Sequence, residues 1–184
     1  MRGKFLMHYY YDTFIAPPAG DITAVVDENG ALVATCFGGL GAATWNAALS
    51  AYLAGCGGTL ARAPGRLQKV RGQTDEYFSG KRRDFDLPLA PFSGTAHQRR
   101  VWSALCAIPF GETRSYGALA KTLGSSPRAV GRANATNLIP LFIPCHRVIG
   151  ADGALTGFAY GVEIKRRLLK HEKQKMGSED FLFS

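Results

Sequence analysis

Pro144-Cys145-His146-Arg147-Val148 sets a thiol directly before an imidazole and a guanidinium. A cysteine attacks only as thiolate. Both neighbours can stabilise an anion, and Pro144 stiffens the approach. A base in such an arrangement needs a group to orient it, and Glu172 is the candidate. Ile164, Leu168 and Leu169 mark the apolar stripe of a last helix, with Lys165, Arg166, Arg167 and Lys170 mostly off it. Glu172 falls on the stripe, four residues after Leu168. A carboxylate on a buried face is costly unless paired, and a Cys145–His146–Glu172 relay resolves that cost. A helix that frays and leaves Glu172 solvated fits the sequence equally well. The plain alternative for Cys145 is a buried cysteine beside a surface His-Arg pair.

The elements that must hold these residues are legible in the second half. The apolar run Leu138 to Ile143 reads as a buried strand with Cys145 at its exit. Thr95 and Gln98 form a capping box for a helix bearing Val101, Leu105 and Ile108 on one face. Pro109-Phe110-Gly111 stops it. Ser115 caps a helix from Tyr116 to Leu123, ended by Gly124, and Ser126 caps another with Pro127 in its first turn. Two short helices across a tight turn make a helix-turn-helix. Arg128 and Arg132, four apart, share a face of the second helix, among the small residues Ala129, Gly131 and Ala133. That combination suits close approach to a nucleic-acid backbone.

The first half carries strand-like text. Ile22–Val26 and Leu32–Phe37 flank the turn Asp27-Glu28-Asn29-Gly30. A weak helix is expected around Ala43–Leu53, another ending at Ser79-Gly80, and an extended linker over Leu87–Pro91. These place one domain at 1–92, a second at 93–176 and a tail at 177–184.

Charge separates the halves. Residues 1–93 carry nine Lys/Arg against eight Asp/Glu, and residues 94–184 carry thirteen against six, so nearly all of the net +8 lies in the second half. A localised basic surface suits a polyanion, although a solvated basic face accounts for it too. There is no apolar run long enough for a membrane helix, and the text around Tyr9–Asp12 is not a signal-peptide core, so a cytoplasmic protein is expected. Cys36, Cys56 and Cys106 read as small buried hydrophobes, and no metal-ligand spacing occurs.

Pro144–Val148 resembles the signature of the O6-alkylguanine-DNA alkyltransferases, also called methylated-DNA–protein-cysteine methyltransferases. Ile108–Thr113, Ser115-Tyr116-Gly117-x-Leu119-Ala120, Arg128–Gly131, Asn137, Gly157, Gly161, Lys165 and Leu168-Leu169-x-x-Glu172 fit the family in order, as does Tyr77-Phe78-x-Gly80. The resemblance implies an α/β protein: a ribonuclease-H-like N-terminal domain, then a helical C-terminal domain with a winged-type helix-turn-helix. It implies transfer, once per molecule, of an alkyl group from O6-alkylguanine, and from O4-alkylthymine, in double-stranded DNA to Cys145 after base flipping. No cofactor and no metal are implied, and the expected state is a monomer.

The site residues follow by position. Cys145 resembles the acceptor, His146 the residue that draws off its proton through a water, Glu172 the one that orients that histidine, and Asn137 the brace of the active-site turn. Tyr116, Arg128, Ala129, Arg132 and Ser115 fall at DNA-binding positions, with Arg128 filling the stack and Tyr116 crowding the phosphate. Tyr116, Val148, Phe158, Ala159 and Tyr160 fall around the base and alkyl pocket. Phe158 and Ala159 lack hydroxyls, so a backbone N–H must serve O6. Tyr160 replaces a common glycine, and His97 a usual phenylalanine. A non-catalytic damage sensor of this fold lacks the cysteine. A cysteine hydrolase would need an oxyanion hole and leaves the helix-turn-helix unexplained.

Overall fold

The computed structural model describes residues 7–39, 43–56, 58–91 and 93–177. The chain divides into two compact units, Met1–Phe92 and Ser93–Ser184.

The N-terminal unit is built on a four-stranded sheet of order β3-β2-β1-β4, from β1 (His8–Ala16), β2 (Gly20–Asp27), β3 (Leu32–Phe37) and β4 (Thr59–Arg62). β1–β2 and β2–β3 are antiparallel, and β4 pairs parallel to β1. The β2–β3 turn forms where expected. Asp27 Oδ1 accepts from the amides of Asn29 and Ala31, each at 2.9 Å, and Gly30 takes the left-handed φ of 81° the turn requires. Helices α1 (Ala43–Cys56) and α2 (Gln68–Ser79) follow. Ile22, Val25, Leu32, Leu67 and Tyr77 are buried in the core. The segment expected as a linker is instead tied to β3: the Leu32 amide donates to Pro88 O and the Ala90 amide to Leu32 O, each at 2.8 Å. An extended chain beside a strand edge is satisfied best by pairing with it.

The C-terminal unit holds α3 (Ala96–Cys106), α4 (Tyr116–Leu123), α5 (Pro127–Ala135) and α6 (Val162–Gly177), with two-residue strands β5 (Arg114–Ser115) and β6 (Val148–Ile149) paired in parallel. Local chemistry sets each boundary. Thr95 and Gln98 close the capping box, Ser115 caps α4 through the Ala118 amide, Gly124 ends α4 at a φ of 58°, and Ser126 caps α5 through the Ala129 amide. Among the described residues no helix is long and apolar enough to cross a membrane.

Three expectations need correction. Residues 138–143 are no strand. They form a buried irregular turn in which Leu141 adopts a φ of 77°, because Asn137 satisfies its main chain from inside: Nδ2 donates to Ile143 O at 2.8 Å and Oδ1 accepts from the Ile139 amide at 3.0 Å. Lys165 lies on the buried stripe of α6, where Lys165, Leu168, His171 and Glu172 are buried. Cys106, at the end of α3, is exposed rather than buried. Cys36 is buried. The side chain of Cys56 and residues 178–184 of the expected tail lie outside the described residues.

Candidate active site

Cys145 opens a one-turn 3-10 helix, Cys145–Arg147, directly after the Asn137-braced turn. The segment is fully inside: Cys145 is 4% exposed, His146 0% and Arg147 4%. Burial pushes the Cys145 thiol up to about 11, opposed by a hydrogen bond from Asn137 and by the charge of Lys165. The thiol is therefore protonated at neutral pH, and any nucleophilic role requires that its proton be taken.

His146 follows Cys145 directly in the chain. His146 Nε2 lies 2.7 Å from Glu172 Oε1, with both side chains buried. A carboxylate only accepts, so Nε2 carries the hydrogen. That leaves Nδ1 with a lone pair, and Nδ1 is buried without a hydrogen-bond partner. Burial holds the imidazole below its ordinary pKa despite the pull of Glu172, so it rests neutral and able to take a proton.

Glu172 is itself held on several sides. Arg147 Nε donates to both carboxylate oxygens at 3.1 Å, and the Gly111 amide donates to Oε2 at 2.8 Å. Arg147 Nη1 donates to Ile108 O at 2.6 Å. Arg147 thus pairs with Glu172 rather than with Cys145, whose thiol feels the charge of Lys165 instead. The ammonium of Lys165 donates to Val148 O at 2.6 Å and Thr156 O at 3.0 Å. Gly111 must be glycine: its φ is 77°, and a Cβ there would stand 2.6 Å from Met176 Cγ.

On the solvent side lies a cleft of about 540 Å³ lined by Tyr116, Pro127, Gly131, Ala135, Thr156, Gly157, Phe158 and Ala159. The Tyr116 hydroxyl faces Thr156 O at 3.5 Å and Asn134 Nδ2 at 3.4 Å, and the same Nδ2 is 3.4 Å from Cys145 O. Cys145 itself does not line the cleft; it is joined to the cleft residue Tyr116 through Asn134, whose Nδ2 reaches both. A buried neutral thiol followed in the chain by a neutral, Glu-oriented imidazole has the groups for nucleophilic chemistry at sulfur.

Residues 96–174 match the family described as 6-O-methylguanine DNA methyltransferase, DNA binding domain. A methylated-DNA–protein-cysteine methyltransferase of Methanosarcina mazei is 52% identical over 111 residues, which span 59% of this chain and 70% of that protein. The chain belongs to the methylated-DNA–protein-cysteine methyltransferase family. A crystal structure of Mycobacterium tuberculosis O6-methylguanine methyltransferase aligns over 97% of this chain and 100% of its own, at 36% identity and a TM-score of 0.78. The structure of Mycobacterium tuberculosis OGT in complex with DNA aligns over 91% of this chain and 94% of its own, at 37% identity and a TM-score of 0.74.

The positions taken from the family resemblance distribute as follows. Cys145, His146, Glu172 and Asn137 come together in the buried cluster. Arg128 and Arg132 are exposed on α5, Ala129 is half-buried beside them, and Ser115 spends its hydroxyl on the α4 cap. Tyr116, Phe158 and Ala159 line the cleft. Val148 and Tyr160 do not line it. Val148 is fully buried in β6, and the Tyr160 ring sits edge-on to Phe158 with centroids 5.8 Å apart. Sequence reading missed Lys165, Asn134 and the role of Arg147. Asn134 had a signal: it follows Val130 by four on the buried stripe of α5, and a polar residue there needs a partner.

Proposed function

We propose that this protein repairs DNA by direct reversal, moving the alkyl group of O6-alkylguanine in duplex DNA onto Cys145, once per molecule. The observation that carries this reading is the buried Cys145–His146–Glu172 series, in which His146 Nδ1 alone is left unpartnered. Nδ1 takes the thiol proton through a water. The sulfur forms a bond to the alkyl carbon, the bond from that carbon to O6 breaks, and its electron pair passes to the guanine, which leaves once protonated. The thioether is stable, so Cys145 is not regenerated. O4-alkylthymine offers the same kind of alkyl carbon and leaving group.

The lesion must leave the base stack to reach the cleft. Arg128 fills the gap, offsetting an unstacking cost of a few kcal/mol. Tyr116 crowds the neighbouring phosphate, while Arg132, Ser115 and the small residues Ala129 and Gly131 bring α5 against the groove. Asn137 holds the turn that carries Cys145. Gly157, Phe158 and Ala159 border the alkyl group, with a main-chain N–H at O6, and Val148 and Tyr160 support that wall. We read the parallel β1–β4 pair beside an antiparallel β1–β3 meander as a ribonuclease-H-like domain, 1–92. We read α4 and α5, flanked by β5 and β6, as a winged helix-turn-helix within 93–176. The protein acts as a monomer in the cytoplasm and uses no cofactor.

Intact mass before and after incubation with a duplex containing O6-methylguanine tests the reading. One methyl per molecule, mapped to the peptide of Cys145, is expected. A methyl on Cys36, Cys56 or Cys106, or repeated turnover, overturns it.

A further inference from the structure

We propose that Asn134 is a positioning residue that sets the direction of the Tyr116 hydroxyl proton and thereby aims it into the cleft. The inference rests on the function proposed above and adds a residue to it. Asn134 sits on α5, is 4% exposed, and reaches both the Tyr116 hydroxyl and the Cys145 carbonyl with the same atom, Nδ2, at 3.4 Å each.

The chemistry of the partners fixes which end of the amide faces them. A main-chain carbonyl only accepts, so the atom facing Cys145 O must be the NH2 group, whose two hydrogens serve two acceptors. The same nitrogen then donates to Tyr116 Oη. A phenol oxygen that accepts there must send its own hydrogen elsewhere, and the remaining neighbour is Thr156 O, at 3.5 Å, on the cleft wall. That contact is long for an O–H donor. A base edge bearing an acceptor nitrogen or oxygen can take the hydrogen over with little lost.

Two further features agree. Burial pushes the Tyr116 phenol up from its ordinary pKa, so it stays a donor. Asn134 Oδ1 is buried with no partner, a cost that rotation of the amide would relieve only by setting two oxygens against each other at Cys145 O. The arrangement also ties α5 to the loop of the nucleophile through one side chain.

A double-mutant cycle tests this, with single-turnover transfer from a saturating O6-methylguanine duplex and affinity for undamaged duplex as readouts. Asn134→Leu removes the donor at similar volume. We expect it to slow transfer about 10-fold to 100-fold with duplex affinity within about twofold, the pattern of an interaction used in the reaction rather than in binding. In a Tyr116→Phe background, where no hydroxyl proton remains to be aimed, the same substitution should cost less than about threefold. Asn134→Asp, which only accepts, should also be slow. Equal losses in both backgrounds, a loss in affinity alone, or wild-type transfer by Asn134→Asp overturns the assignment. Should Asn134→Leu fail to fold, Asn134→Ala, which also lacks a side-chain donor, runs the same cycle. Absence of a methyl on Cys145 in the wild type would sink the proposed function; a methylated wild type with an additive cycle sinks only the role of Asn134.

Discussion

The two units bury polar groups on different terms. In the N-terminal unit, interior polar side chains are closed off by their own surroundings. Gln73 spends both ends of its amide on the main chain of Asp86, at 2.9 and 2.8 Å, and Asp12 pairs with Arg62, which itself reaches solvent. In the C-terminal unit three charged side chains, Arg147, Lys165 and Glu172, and the neutral His146 beside them are at most 4% exposed. Charges taken that far out of water repay their desolvation poorly, and apolar replacements of like volume are often neutral or stabilising. The first arrangement is what folding needs. The second costs more than folding needs and still leaves His146 Nδ1 open, which is what the proposed function requires of it.

The largest expected effect tests that contrast directly. Glu172→Ala strands Arg147 in the interior and should cost about 3–5 kcal/mol of stability, along with transfer by any molecule that remains folded. Ile22→Ala opens a cavity in the N-terminal sheet and should cost a similar amount, about 2–5 kcal/mol, yet leave the single-turnover rate per folded molecule unchanged. Chemical denaturation beside rapid-quench transfer separates the two. Loss of transfer in Ile22→Ala would break the division of labour between the units.

Arg128→Ala comes next. Arg128 is exposed on α5 and is assigned to the gap left by a flipped nucleotide, a role that vanishes when there is no stack. Repair of duplex should slow at least about 10-fold, the effect of losing a side chain that offsets an unstacking cost of a few kcal/mol. Reaction with free O6-methylguanine base should change little. Equal losses on both substrates would place Arg128 in the chemistry rather than in the stack.

The pH dependence is a weaker but sharper probe of the buried cluster. The imidazole of His146 is held below its ordinary 6.5 and the thiol of Cys145 near 11. Between these limits the pair is neutral and loses no net proton when sulfur hands its hydrogen to nitrogen. Transfer at saturating duplex should therefore be flat from about pH 7 to pH 9 and decline only as acid protonates His146. The same depressed histidine contributes stability that is present above pH 6.5 and lost as pH falls through its lowered value in the folded protein. A rate climbing tenfold per unit through pH 7–9 would mean that solvent hydroxide, not His146, makes the thiolate.

What the sequence disclosed follows from the range of the physics involved. Caps and turns are settled within four residues, so Thr95, Ser115, Gly124 and Ser126 ended their helices as read. The stripe of α6 exposed Glu172 as a carboxylate in need of a partner. Pairings across the fold were less visible. Arg147 is adjacent to His146 in sequence, which invited a role at the thiol, yet its guanidinium meets Glu172 twenty-five residues on. Lys165 reads as lying off the apolar stripe, because its ammonium is satisfied by two carbonyls, of Val148 and Thr156, that no periodicity announces. Residues 138–143 looked like a strand because buried apolar text carries no mark of the Asn137 amide that bends it.

The smallest expected effect concerns Tyr160. By the family resemblance, Tyr160 stands where glycine is common, and its ring would occupy room above the thiolate and exclude bulky alkyl groups. In the structure the ring meets Phe158 edge-on, at 5.8 Å and 62°, and Phe158 lines the cleft where Tyr160 does not. On the proposed function, a restriction on alkyl size would therefore pass through Phe158, against which the Tyr160 ring packs. An edge-to-face aromatic pair contributes about 0.5–1.5 kcal/mol beyond its buried area. If that brace is what keeps Phe158 over the alkyl group, Tyr160→Ala should raise the rate with O6-benzylguanine about 2-fold to 10-fold, the equivalent of that energy. Methyl, which needs no extra room, should change less than about twofold by the same measure. Alanine rather than glycine is the informative replacement, because Gly157 and Gly161 already adopt left-handed φ values of 61° and 92° on either side and a third glycine would loosen the whole loop. Phe158→Ala should give at least as large a shift in the benzyl-to-methyl ratio. A shift in Phe158→Ala without one in Tyr160→Ala would leave Phe158 as the gate and reduce Tyr160 to a cover on the loop. No shift in either would remove this wall of the cleft from the choice of alkyl group.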